Sequence, residues 1–144
     1  MKKLLLVLCL WSGSFLQAQT TWFNIMGEPD DAAVDTVEVN PTPVSINGAI
    51  RALQVRVGRS ADQLSRDGVS YRSYASEVVS DCVSNSTRHA WIDFYTLPGW
   101  KGEPHKRAVY PLSDPRPMQF PEIEPNPYRR IVRAACQTGS VINN

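Results

Sequence analysis

Two histidines, three cysteines and four tryptophans are the residues of this chain with the most specialised chemistry to offer, and their spacing decides how much of it is available. His89 and His105 stand sixteen positions apart, and neither falls in a zinc or nucleophile motif. His105 has Glu103 nearby, but two donors in a proline-rich stretch read as ordinary surface, so no metal and no cofactor is expected. There is no Gly-rich phosphate loop, no G-x-S-x-G elbow and no C-x-x-C-H haem site. Serines such as Ser73, Ser76 and Ser80 are plentiful without forming a triad. Catalysis is therefore not expected. The aromatic residues point elsewhere: Trp91 and Tyr95 fall on the outward side of an alternating segment, where a one-sided sheet ordinarily carries polar groups. Either another loop, such as the one bearing Trp100, folds over them, or they form a partner-binding surface of the kind in which aromatic residues are enriched.

The cysteines depend on what happens to the N-terminus. Lys2 and Lys3 precede an apolar run from Leu4 to Trp11, followed by a more polar stretch ending Leu16-Gln17-Ala18, the pattern of a secretory signal cut after Ala18. A membrane anchor is the competing reading, yet eight residues of helix rise only about 12 Å against a hydrocarbon core about 30 Å thick. Cys9 lies inside the apolar run behind Leu8, not at its end behind a small residue, so lipid attachment is not expected. Removal of residues 1–18 leaves a single domain over residues 19–144 and takes the formal charge from +1 to −1. Nucleic-acid binding by bulk charge is then excluded, because counterion release needs a basic face. Two cysteines remain, and in an oxidising compartment Cys82 and Cys136 are expected to pair, the alternative being two separate buried thiols. Closing so long a loop is worth roughly 4 kcal/mol in the chain-entropy account.

The elements that must position these residues are mostly strands. Thr20 to Met26 is long enough for one strand, and Val34 to Asn40 reads as an edge strand stopped by Pro41 and Pro43. Residues 27–48 hold Glu28, Asp30, Asp31, Asp35 and Glu38 without one Lys or Arg. Alternation then marks Ala49 to Arg59, Tyr71 to Cys82 and Arg88 to Leu97. In the second, Tyr74, Val78 and Cys82 share the inner face opposite Tyr71, Glu77 and Asp81. In the third, Ala90, Ile92 and Phe94 look inward, while His89, Trp91, Asp93 and Tyr95 look out, with His89 beside Asp81. A turn centred on Asn85 sets Cys82 against Arg88, Ser80 against Ala90, Val78 against Ile92 and Ser76 against Phe94. That register also opposes Glu77 to Asp93, a like-charge pair that leaves a two-residue slip open.

Eight of the eleven prolines lie between Pro98 and Pro127, which excludes regular central strands across most of that segment. Short edge strands are expected over Arg107 to Leu112 and around Met118 to Phe120. A closing helix follows, with Asn126 as cap, Pro127 in its first turn, Tyr128, Ile131, Val132 and Ala135 on one face, and Arg129, Arg130 and Arg133 outside. The expected fold class is α+β, an antiparallel sheet with the C-terminal helix packed on one face and tied by the disulfide.

The run Asp67-Gly68-Val69-Ser70-Tyr71-Arg72-Ser73-Tyr74, the pair Asp81-Cys82, the Trp100-x-Gly102-x-Pro104 loop, Pro115-Arg116-Pro117-Met118, and Pro125-Asn126-Pro127 through Ala135-Cys136 together resemble the surface-adhesin protein E-like family of small exported bacterial proteins. The resemblance spans roughly residues 22–136 and implies the same sheet with a disulfide-tethered helix. It implies an adhesin-like role toward host epithelium or matrix proteins, and no binding residues carry over motif by motif. The expectation is an exported binding module, periplasmic or at the cell surface, with a periplasmic small-molecule-binding or envelope-maintenance protein as the alternative.

Overall fold

The computed structural model describes residues 21–114, 116–120 and 122–137. The proposed signal segment, residues 1–18, lies outside them. Seven strands form one antiparallel sheet: β1 (Phe23–Met26), β2 (Thr36–Val39), β3 (Ser45–Asn47), β4 (Ile50–Leu64), β5 (Ser70–Asp81), β6 (Ser86–Tyr95) and β7 (Lys106–Val109). Their order is β1-β2-β4-β5-β6-β7, with the short β3 pairing on β4. Helix α1 (Tyr128–Gln137) is the last described element, and a 3₁₀ turn spans Pro98–Trp100.

Strands β2, β4, β5 and β6 bury their inward alternates: Val37 and Val39, Leu53, Val55 and Val57, Tyr74 and Val78, Ile92 and Phe94 are all core residues. Helix α1 lies on that face against β4, β5 and β6. The Asn126 side chain accepts a hydrogen bond from the Tyr128 N–H at 2.9 Å and so satisfies a donor at the helix start. Ile131, Val132 and Ala135 are buried as expected, and the first two contribute about 1.5–3 kcal/mol each by leaving water. A ten-residue helix is too short to persist alone, so this face is what keeps it folded. The disulfide Cys82–Cys136, with Cα atoms 5.6 Å apart, fixes its far end to the end of β5.

Five expectations are corrected. β2 is not an edge strand: it lies between β1 and β4 with all four residues buried. No strand forms at Met118–Phe120. Those residues belong to an irregular segment laid over the inner face, where Met118, Phe120 and Ile123 complete the core. Tyr71, expected outside, is buried against Tyr74 and Phe94, with ring centroids at 5.6 and 5.3 Å. The β4–β5 register breaks between Gly58 and Gln63, which frees Tyr71 from the alternation.

The remaining two corrections concern the central hairpin. Ser76 pairs with Ile92 and Tyr74 with Phe94, the two-residue slip relative to the turn-centred register. That shift removes the like-charge opposition: Glu77 now faces Trp91, and Asp93 faces Ala75 on one side and Arg107 on the other. The next step along β6 is a bulge, in which Glu77 and Val78 pair with Trp91 and His89 and Ala90 is the extra residue. From there the alternation of β6 is inverted. His89 and Thr87 turn inward, and His89 does not sit beside Asp81 on the surface.

Candidate binding surface

The outer face of the sheet carries one transverse row set by the register: Glu38 on β2, Arg56 on β4, Ala75 on β5, Asp93 on β6 and Arg107 on β7. Its charges alternate, and each arginine is held by the acid of the neighbouring strand. Arg56 forks onto Glu38 at 2.7 and 3.1 Å, and Arg107 Nε donates to Asp93 Oδ1 at 2.6 Å while its second arm takes the other carboxylate oxygen. Hydrogen bonding to Asp93 raises the Arg107 pKa further. Bidentate pairing fixes the plane of a guanidinium as well as its charge.

Those fixed planes stack on tryptophans. The Arg56 guanidinium lies 4.2 Å from the ring centroids of both Trp22 and Trp100, and Arg107 lies 4.7 Å from that of Trp91. Such contacts are worth about 0.5–1 kcal/mol each where water has access. Trp100 is seated firmly: its Nε1–H donates to the carbonyls of Tyr74 at 2.9 Å and Val57 at 3.2 Å, and its backbone N–H donates to Ser73 Oγ. Gly58, beneath it, accommodates the Thr36 hydroxyl, since a Cβ there would come within 2.6 Å of Thr36 Oγ1.

The loop carrying Trp100 therefore does fold onto the outer face, but over β4 and β5. Trp91 and Tyr95 stay half-buried toward the β6–β7 edge, with Val109, 71% exposed, opposite Trp91. Burial and then the nearby Asp93 carboxylate raise the Tyr95 pKa, so its hydroxyl stays neutral. Sequence reasoning singled out Trp91 and Tyr95 but missed Trp22, Arg56 and Arg107. Glu38 and Arg56 did stand at outward positions of their strands, which was a usable signal. The missing step was that β2 and β4 are neighbours across the intervening β3.

The inner face holds a second feature, a cleft of about 110 Å³ walled by Tyr71, Tyr74, Phe94, Tyr110 and His89. At its mouth Tyr110 donates to Asp67 at 2.9 Å, and Arg116 bridges Asp114 and Asp67. Pairing with Arg116 lowers the Asp114 pKa to about 2, and burial together with the Asp67 bond lifts Tyr110 to about 12. His89 packs its ring against Tyr74, centroids 5.9 Å apart, and its Nδ1 is buried with no hydrogen-bond partner among the described residues. Burial pulls its pKa down to about 4, leaving a neutral imidazole.

Among the described residues no three His, Cys, Asp or Glu side chains converge as metal ligands, and no helix is long and apolar enough to cross a membrane. Comparison of the chain with models of known families, with curated proteins and with solved structures found no match.

Proposed function

We propose that the chain is an exported, non-catalytic binding module whose contact surface is the outer sheet face around Trp91, Tyr95 and Arg107. One observation carries this reading: the inner face is covered by α1 and the proline-rich segment, while the outer face presents Trp91 and Tyr95 beside arginines held in place by Asp93 and Glu38. These are the residue types that dominate binding energetics at protein interfaces. Their ordering is complete before a partner arrives, so association loses less side-chain entropy. The resemblance to protein E-like adhesins supports a host or matrix protein as that partner, and no nucleic acid is proposed.

The test is capture of the protein by an immobilised extracellular-matrix preparation. Trp91→Ala should weaken capture by more than about 1 kcal/mol while lowering the unfolding free energy by no more than about 1 kcal/mol, the worth of its stack with Arg107. Loss of about 3–5 kcal/mol of stability, the cost of deleting a buried tryptophan, would show instead that Trp91 is a core residue and would overturn the surface reading. Export is checked separately. The protein recovered from the producing cell should have the intact mass of a chain beginning at Gln19, and a mass retaining residues 1–18 would count against a cleaved signal.

The alternative, a small-molecule-binding protein of the periplasm, is favoured by a different observation, the groove between β1 and the helix.

A further inference from the structure

A groove of about 550 Å³ runs between β1, β2 and α1, within the size range of small-ligand sites. Its two walls differ in character. The sheet side presents Phe23, left 61% exposed at the mouth, with the half-buried Ile25 and the exposed Pro41, over a floor closed by the buried Val39 and Leu53. The helix side presents Arg130 and Arg133 with Ala134 between the apolar floor and the rim.

Carboxylate partners set five arginines of the sheet and its loops apart from these two. Arg56, Arg59, Arg72, Arg107 and Arg116 each pair with a carboxylate. Arg129, Arg130 and Arg133 pair with none among the described residues, and α1 contains no acidic residue at all. Arg129 and Arg130 also stand in the first turn, where the helix dipole disfavours cations by roughly 0.3–1 kcal/mol each. Helix stability would place them at the other end. Arg130 nevertheless donates to the Ile25 carbonyl at 3.2 Å, a bond that holds its guanidinium over the groove and leaves most of its N–H donors unused.

From this juxtaposition we propose that the groove binds a single-chain anionic amphiphile in monomeric form, its carboxylate or phosphate head on Arg130 and Arg133 and its acyl tail along Phe23, Ile25, Pro41 and Ala134. Charge complementarity selects the anion and the apolar wall selects the tail. A concave site of this volume accommodates one chain and not a bilayer surface. The inference is independent of the outer-face reading, since no residue is shared between the two.

Calorimetric titration of the chain with dodecanoate below its micellar concentration tests it. Saturable one-to-one binding is expected, with dodecyltrimethylammonium, which has the same tail and the opposite head, at least tenfold weaker. Acetate, the head without the tail, should show no saturation at millimolar concentration. The double variant Arg130→Glu, Arg133→Glu should lose at least tenfold in dodecanoate affinity, and Phe23→Ser should weaken it several-fold. All three positions are exposed, and an unchanged unfolding midpoint verifies that the variants are folded. Absence of saturation, equal binding of the cationic amphiphile, or full affinity in the arginine variant would each overturn the proposal. Failure with dodecanoate combined with arginine-dependent co-sedimentation on phosphatidylglycerol vesicles would overturn it in favour of a membrane-surface contact.

Discussion

Replacing Cys82 and Cys136 together by alanine is expected to lower the unfolding free energy by about 2–5 kcal/mol, the usual loss when a small exported domain gives up its disulfide. The bond spans 54 residues, joining the end of β5 to the last turn of α1. In the unfolded chain it removes much of the freedom of everything between, which includes β6, β7 and the whole proline-rich segment. In the folded chain it holds a helix that the sheet retains through a small apolar face of Ile131, Val132 and Ala135. Because Met118, Phe120 and Ile123 pack with that helix over the same face, loosening α1 exposes more than the helix alone. For a domain with a total stability of about 5–15 kcal/mol the loss is large. Denaturant unfolding of the variant beside the oxidised parent measures it. A change below about half a kcal/mol, the size of an ordinary surface substitution, would mean that the bridge closes nothing of consequence.

The pairing was legible because Cys9 falls in the expected signal segment and leaves Cys82 and Cys136 with no other partner, and the strands were legible because alternation survives wherever one face is buried. Two kinds of structure were not. The bulge at Ala90 leaves no trace in the pattern, since alternation in the residue types of β6 runs straight through it while the backbone inverts. The register was undetermined for a related reason: the turn admits either alignment, and the one adopted avoids opposing Glu77 to Asp93. The proline-rich segment is the second kind. Prolines excluded regular strands correctly, yet Met118, Phe120 and Ile123 have no periodicity that would mark them as core. The outer row shows the same limit at the candidate site, because Trp22, Arg56 and Trp100 come from three distant stretches and meet only through sheet order. The acidic stretch 27–48 had no cation of its own for that reason: Asp35 and Glu38 are matched by Arg59 and Arg56 of β4.

His89, the residue that the bulge turns inward, should make the fold acid-sensitive in a window separate from the carboxylates. Its folded-state pKa is held near 4 by burial, against an ordinary value of 6.5. Above about pH 6.5 both folded and unfolded chains carry it neutral, so it imposes no pH dependence there. As pH falls below 6.5 the unfolded chain takes up a proton that the folded chain refuses, and stability declines until the folded imidazole itself titrates near 4. Across that window the loss is about 3 kcal/mol. Asp114, with its pKa near 2, contributes its own acid sensitivity only below the ordinary carboxylate range, so the two do not overlap. The variant His89→Phe keeps an aromatic ring against Tyr74 and deletes both the proton site and the unpartnered Nδ1. It should be more stable than the parent at pH 7 by about 1–3 kcal/mol, the cost of an unsatisfied buried polar atom. Between pH 6.5 and 4.5 its stability should be nearly flat where that of the parent falls. Urea unfolding of both proteins at half-unit pH intervals resolves the two curves. Parallel curves across that window would show that the imidazole protonates as readily in the folded chain as in the unfolded one, and that its place against the tyrosines carries no electrostatic cost.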